Sequence, residues 1–184
     1  MNFWSQIPAG DYPPCLVNAV IEVVSGSRDK YEYDREWEAF VLDRVLYSSV
    51  VFPVEYGFIP RTLAPDNDPL DIMVLTYAPV TVGCIVKVKP IAVLVMEDEE
   101  GEDSKILSVP LRDPRFEGFN DIKDVHYHKL KEIQEFFEVY KRLEPTKWVK
   151  FKTWMNAEEA RAQIKSAMER YLLEGSAKTE DNRR

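Results

Sequence analysis

The order of periodicities most constrains this chain: short period-two and continuous apolar segments fill its first two-thirds, and helical spacing appears only afterwards. Successive side chains of a strand point to opposite faces, so alternation or a short apolar run marks strands, whereas an i, i+3, i+4 recurrence marks a helix. Strands are expected over residues 15–24, 30–34, 39–45, 71–75, 83–97, 105–111 and 147–152, with a turn at Ser25-Gly26-Ser27. Pro90 stands inside the long valine-rich segment and lacks the N–H that a ladder needs, which predicts a sheet edge, a bulge or a break there. Between residues 129 and 143 apolar side chains fall at Leu130, Ile133, Phe136, Phe137, Tyr140 and Leu143, one face of a helix. A second helix opens at Asn156 with Glu159 three residues on, a capping box, and Ala160, Ile164, Ala167, Met168, Tyr171 and Leu172 form its face. Gly175 is its expected stop, and the polar residues 176–184 are expected to be a disordered tail. Strands followed by two helices predict an α+β, mainly β domain over residues 1–175: a small closed barrel with both C-terminal helices packed outside. At 184 residues the chain is long enough to bury a sizeable core.

Charge and cysteine usage narrow the function classes. Lys plus Arg number 24 against 32 Asp plus Glu, a net charge of −8. Nucleic-acid binding draws on a basic face, so this balance opposes it, without opposing phosphate ligands that arrive with metal ions. No apolar run approaches the roughly 20 residues of a membrane span, and the N-terminus lacks a basic and apolar leader. Cys15 and Cys84 are far apart, without metal-ligand spacing, and read as reduced thiols. A soluble cytoplasmic protein is expected, or an organelle lumen after removal of a transit peptide.

The most informative stretch is Asp66-Asn67-Asp68-Pro69-Leu70-Asp71, three carboxylates with no basic residue among them. Such like charges are unfavourable unless a cation sits between them, and oxygen-only ligands suit magnesium, calcium or manganese. An EF-hand fails, because Leu70 occupies loop position five, Asp71 the glycine position and Tyr77 the bidentate glutamate position. A solvated turn held by Asx hydrogen bonds is the plain alternative, and the loop alone leaves both open. A second acidic stretch, from Met96 to Lys105, is by itself a solvated hairpin loop, although Asp98, Asp103 and Lys105 are able to turn inward together. Lys30 and Glu32 share one face of their strand, and Glu22 on the preceding strand reaches towards it. Arg44 follows Asp43, where a structural ion pair is the default. Tyr140 and Lys141 read as core and surface positions late in a helix.

Taken together, these pieces resemble the soluble family-I inorganic pyrophosphatases, of the bacterial type. The family's signature is an aspartate, a small or polar residue, an aspartate, proline or glutamate, an aliphatic residue and an aspartate, and residues 66–71 fit it throughout. The remaining order agrees: Glu22, Lys30 with Glu32, Asp43-Arg44 and Glu55-Tyr56-Gly57-Phe58-Ile59-Pro60 precede the signature. Asp98-Glu99, Gly101-Glu102-Asp103-Ser104-Lys105, Asp121-Ile122-Lys123-Asp124-Val125, Phe136-Phe137 with Tyr140-Lys141, and Lys147-Trp148-Val149-Lys150 follow it. The likeness covers residues 15–172.

The resemblance implies an OB-like five-stranded barrel with flanking helices and hydrolysis of pyrophosphate to two phosphates. By position, Asp66, Asp71 and Asp103 match magnesium ligands, with Asp98 and Asp103 serving a further ion that arrives with substrate. Asp68 matches the carboxylate that takes the proton of the attacking water. Lys30, Arg44, Tyr56, Lys105, Tyr140 and Lys141 match residues that contact the phosphoryl groups, and Glu22 and Glu32 match outer carboxylates. Several Mg2+ ions per site are implied, with Mn2+ as an alternative, and a homo-oligomer, usually a hexamer. The chemistry is coherent, since divalent ions neutralise a highly charged anion and activate water while cations stabilise the leaving phosphate. Phe52 departs from the pattern: many relatives carry a tyrosine there, thought to lie near the leaving phosphate. His126 and His128 receive no role. Rival readings are another metal-dependent phosphohydrolase, an oligonucleotide-binding barrel, and an inactive relative.

Overall fold

The computed structural model describes residues 1–99 and 101–181. Its strands are β1 (Val17–Val23), β2 (Asp29–Asp34), β3 (Ala39–Val45), β4 (Glu55–Phe58), β5 (Asp71–Val74), β6 (Ile85–Asp98), β7 (Gly101–Pro110) and β8 (Val149–Asn156). The helices are α1 (Tyr127–Val139) and α2 (Ala157–Asp181). β1, β4, β5, β7 and β6 pair in that order, and β6 pairs back with β1 to close a ring. Only β5 and β7 run parallel among these pairs. The expected five-stranded barrel with two helices is therefore present. β2 and β3 form a separate hairpin leaning on β1.

β6 is long enough to serve different neighbours along its length. Its first part, Ile85 to Val88, pairs with β1, and further along the same edge, opposite β7, Ala92 to Asp98 carries β8. Pro90 falls at the change-over, where the register against β7 slips between Pro90 and Ala92. The proline thus marks a bulge in one continuous strand. Where β1 and β4 pair, Gly57 is required for another reason: a Cβ there would lie 1.8 Å from the Val20 carbonyl oxygen. Any side chain would force two ring strands apart beside the irregularity between Ile21 and Val23.

Alternation along the strands feeds two cores. Ile72 and Val74 of β5, Ile106 of β7 and Val93 and Val95 of β6 pack with Ala160, Ile164 and Ala167 of α2. The opposite faces, Met73, Leu107, Leu94 and Met96, pack with Leu130, Ile133, Phe136 and Phe137 of α1. Burying each such large aliphatic side chain contributes about 1.5–3 kcal/mol. The strands are thus held between two helical faces, and the chain segment leaving α1 is fixed relative to the barrel.

Helix ends follow local chemistry. Asn156 accepts hydrogen bonds from the backbone N–H groups of Glu158 at 3.0 Å and Glu159 at 3.1 Å, capping α2 as expected. His126 does the same for α1, its Nδ1 accepting from His128 N–H at 3.2 Å. α1 stops at Val139, so Leu143 lies beyond it and is exposed rather than core. Leu172 is also exposed. α2 continues through Gly175, the expected stop, to Asp181. Of the expected tail, residues 182–184 lie outside the described residues.

Candidate active site

A cleft of about 350 Å³ opens where the end of β1, the β2–β3 hairpin, β4, the acidic loop, the β6–β7 hairpin and the segment after α1 meet. Its wall includes every site residue singled out in the sequence: Glu22, Lys30, Glu32, Arg44, Tyr56, Asp66, Asp68, Asp71, Asp98, Asp103, Lys105, Tyr140 and Lys141. Sequence neighbours place only a few of these together; strand pairing gathers the rest.

At the centre is Lys105, a buried lysine on β7. The parallel register that sets Ile72 against Ile106 brings Asp71, at the head of β5, beside it. Asp103 lies two residues before Lys105 and therefore on the same face of β7. The Lys105 ammonium contacts the Asp71 carboxylate, lies 3.0 Å from Asp103 Oδ2 and donates to the Tyr56 hydroxyl at 3.1 Å. Tyr56 in turn donates to Asp71. Burial disfavours the ammonium, but Asp103, Asp71 and Tyr56 together hold Lys105 well above the ordinary lysine range. Burial raises Asp103, Lys105 pulls it back, and repulsion from Asp71 leaves it above the usual carboxylate value.

The acidic loop approaches from the side. Asn67 takes a left-handed conformation (φ 70°), and Asp68 N–H donates to the Asp66 carboxylate at 2.9 Å. The Asx turn expected of an acidic loop is thus present. Asp66 is raised by burial and further by Asp71, Asp68 and Asp103, despite the hydrogen bond from the Asp68 backbone. Asp68 itself is well exposed, and Arg35 reaches its Oδ1 at 3.1 Å.

Cations line the other walls, each held by a carboxylate. Lys30 and Arg44 face one another across the β2–β3 register. Lys30 contacts Glu32, and Arg44 contacts Asp43 and lies 3.0 Å from Glu144. A bulge falls between Lys30 and Tyr31, yet Lys30 and Glu32 both reach the cleft. Lys141, in the segment after α1, meets Asp98 at 2.8 Å across the β6–β7 hairpin. Burial opposes its charge, but Tyr140, Asp98 and Glu99 raise it. Burial also opposes the charge of Glu99, which the hydrogen bond from Lys147 and nearby Lys141 bring down to about 2. Glu22 is buried at the end of β1 and accepts from Tyr33 N–H at 2.7 Å.

Among the described residues no three Asp, Glu, His or Cys side chains are gathered about one point. Asp71 and Asp103 nevertheless already converge on one cation, the Lys105 ammonium, and Asp66 feels both of them. This donor set is all oxygen and mutually repelling, which fits a hard divalent ion such as magnesium or manganese better than zinc.

The family model described as inorganic pyrophosphatase matches residues 19–172. The chain belongs to this family. It is 47% identical over 167 residues to the inorganic pyrophosphatase of Saccharolobus solfataricus, covering 90% of this chain and 97% of that protein. It is 51% identical over 152 residues to the one from Methanosarcina mazei, covering 83% and 89%. The crystal structure of inorganic pyrophosphatase from Thermus thermophilus superposes with a TM-score of 0.90 at 44% identity, covering 93% of this chain and 99% of that one.

Within this family frame, three features escaped the sequence. Arg35 and Tyr33 line the cleft, and Glu144 holds Arg44, although none stood in a recognisable pattern. Lys147 and Glu102 lay inside quoted motifs without a role and also line the cleft. Phe52 does not: it is fully buried in the core beside α1, with its ring 4.7 Å from Phe136 and 5.5 Å from Tyr56. Its relation to the site runs through Tyr56 alone among the lining residues it stacks on.

Proposed function

We propose that the chain hydrolyses inorganic pyrophosphate to two phosphates by direct attack of water, with Asp68 as general base. The observation that carries this reading is that Asp66, Asp71 and Asp103 line one small cleft together with Lys30, Arg44 and Lys141. Asp66, Asp71 and Asp103 would hold Mg2+, with Asp98 and Asp103 available to a further ion. When bound, such ions neutralise the substrate's charge and lower the pKa of water.

The chain's own residues supply the rest. Asp68 presents its carboxylate from an exposed loop tip, where it would accept a proton from the attacking water. Lys30, Arg44 and Lys141 are kept charged and aimed by their carboxylate partners, and with Tyr56, Lys105 and Tyr140 they bind the phosphoryl oxygens. Charge that develops on the leaving phosphate is stabilised by these fixed donors. Glu22 and Glu32 support Lys30 and the hairpin. No serine, threonine, cysteine or histidine lines the cleft among the described residues, which favours water as nucleophile.

The test is phosphate release from pyrophosphate with magnesium, beside tubes holding EDTA or ATP instead. Rapid release that needs magnesium and spares ATP is the expected result; none with any divalent ion, from folded protein, refutes the assignment. A hexamer in the cytoplasm belongs to the same proposal. Both cysteines are free, no helix of the described residues is long and apolar enough to cross a membrane, and Leu42, Val45 and Tyr47 are exposed. Light scattering tests the assembly.

A further inference from the structure

We propose that Arg35, seated on Trp4, is a positioning residue for Asp68, so that the N-terminal segment forms part of the active-site support. This inference rests on the reading of Asp68 as the base. Arg35 stands in the turn between β2 and β3, outside the strands that carry Lys30, Glu32 and Arg44. It lines the cleft, and its guanidinium grips the acidic loop twice: Nη2 at 3.1 Å from Asp68 Oδ1 and Nη1 donating to the Asn67 carbonyl at 3.3 Å. A planar fork that holds a carboxylate and the carbonyl preceding it restrains both the side chain and the loop backbone at a residue in the left-handed region.

The guanidinium carbon lies over the Trp4 ring, 4.7 Å from its centre. Trp4 is itself fixed. Its indole N–H donates to the Thr62 carbonyl at 2.8 Å, its own carbonyl accepts from Arg61 N–H at 2.8 Å, and its ring meets Tyr171 of α2 edge-on at 5.1 Å. Phe3 beside it packs on Tyr33 and Phe40 of the same hairpin. The chain start therefore ties the β2–β3 turn, the segment leading into the acidic loop and α2 to one aromatic platform, on which Arg35 rests.

The experiment compares kcat and KM for pyrophosphate, at saturating magnesium, in the wild type, Arg35→Ala, Arg35→Lys, Trp4→Ala, Asp68→Asn and the double variant Arg35→Ala/Asp68→Asn, with thermal unfolding of each. The Asp68→Asn background is assayed at raised enzyme concentration. Arg35→Ala is expected to lower kcat about threefold to fivefold, the size a solvent-screened charge pair supports, with KM changed less than about twofold. Arg35→Lys restores part of the loss, since an ammonium reaches Asp68 without the fork. Trp4→Ala reproduces part of it, and in the Asp68→Asn background Arg35→Ala has no further effect. Wild-type kcat in Arg35→Ala overturns the proposal. So does a rise in KM alone, which makes Arg35 a substrate contact, or an undiminished effect in the Asp68→Asn background. Full activity of Asp68→Asn would instead remove Asp68 from the chemistry, and with it the reading beneath this one.

Discussion

Glu22→Gln should change how the metal-free protein's stability depends on pH. Glu22 is buried at the end of β1, and burial, with repulsion from Asp71 and Glu32, outweighs the Tyr33 N–H bond and Lys30, raising its pKa from 4.5 to about 8. Between these values the folded chain keeps a proton that the unfolded chain has lost. The stability from this group is full below pH 4.5 and declines as pH rises towards 8. The slope is at most about 1.4 kcal/mol per pH unit, so from pH 5.5 to 7.5 Glu22 removes about 2 kcal/mol. Glutamine keeps the shape of the neutral carboxyl and has no proton to lose. Urea unfolding in EDTA at several pH values should show the stability of Glu22→Gln rising relative to wild type by about 2 kcal/mol across that interval, with unchanged m. Comparing the two proteins cancels the other titrating groups. Parallel curves, separated by the same free energy at every pH, would refute the argument that this carboxyl is protonated in the folded state.

Three further outcomes are expected. Asp68→Asn should retain fold and metal binding, because the side chain is largely exposed, while kcat drops at least about 100-fold; calorimetric magnesium titration and phosphate release check both. Lys105→Met should cost about 2–4 kcal/mol of metal-free stability, since it leaves Asp71 and Asp103 facing each other unpaired, and chemical denaturation in EDTA measures it. Gly57→Ala should cost at least about 3 kcal/mol or prevent folding, because its methyl group meets the Val20 carbonyl backbone; expression and melting temperature report it.

What the sequence disclosed follows the range of the interactions involved. Apolar alternation located β1, β3, β5 and β6, and side-chain capping located the start of α2, because these are local effects. β4 went unseen: Glu55-Tyr56-Gly57-Phe58 is short and carries a buried glutamate whose partners, Ser25 and Thr76, lie far off in sequence. The stretch after Asp98 looked like a solvated loop because it is acidic, whereas β7 already begins at Gly101 and pairs it with Asp98. Charge there is tolerated because Lys141 and Lys152 come from distant segments. The clustered aspartates were legible through their spacing, and their cationic counterparts through the family resemblance. Arg35 was legible through neither, since its meaning depends on Trp4 and Asp68 meeting in space.

Ring closure has a consequence for life at high concentration. A strand paired on both sides offers no template to another chain, so the barrel strands are closed to misassembly once β1 meets β6. In the six-stranded sheet that leaves β8 as the terminal strand, and it presents Lys150 and Lys152 there, both exposed. An approaching copy would have to strip water from these charged side chains before any ladder could form. Within the barrel the hazard is thereby confined to the interval before closure, when β1, with five apolar residues of seven, still lacks its second neighbour.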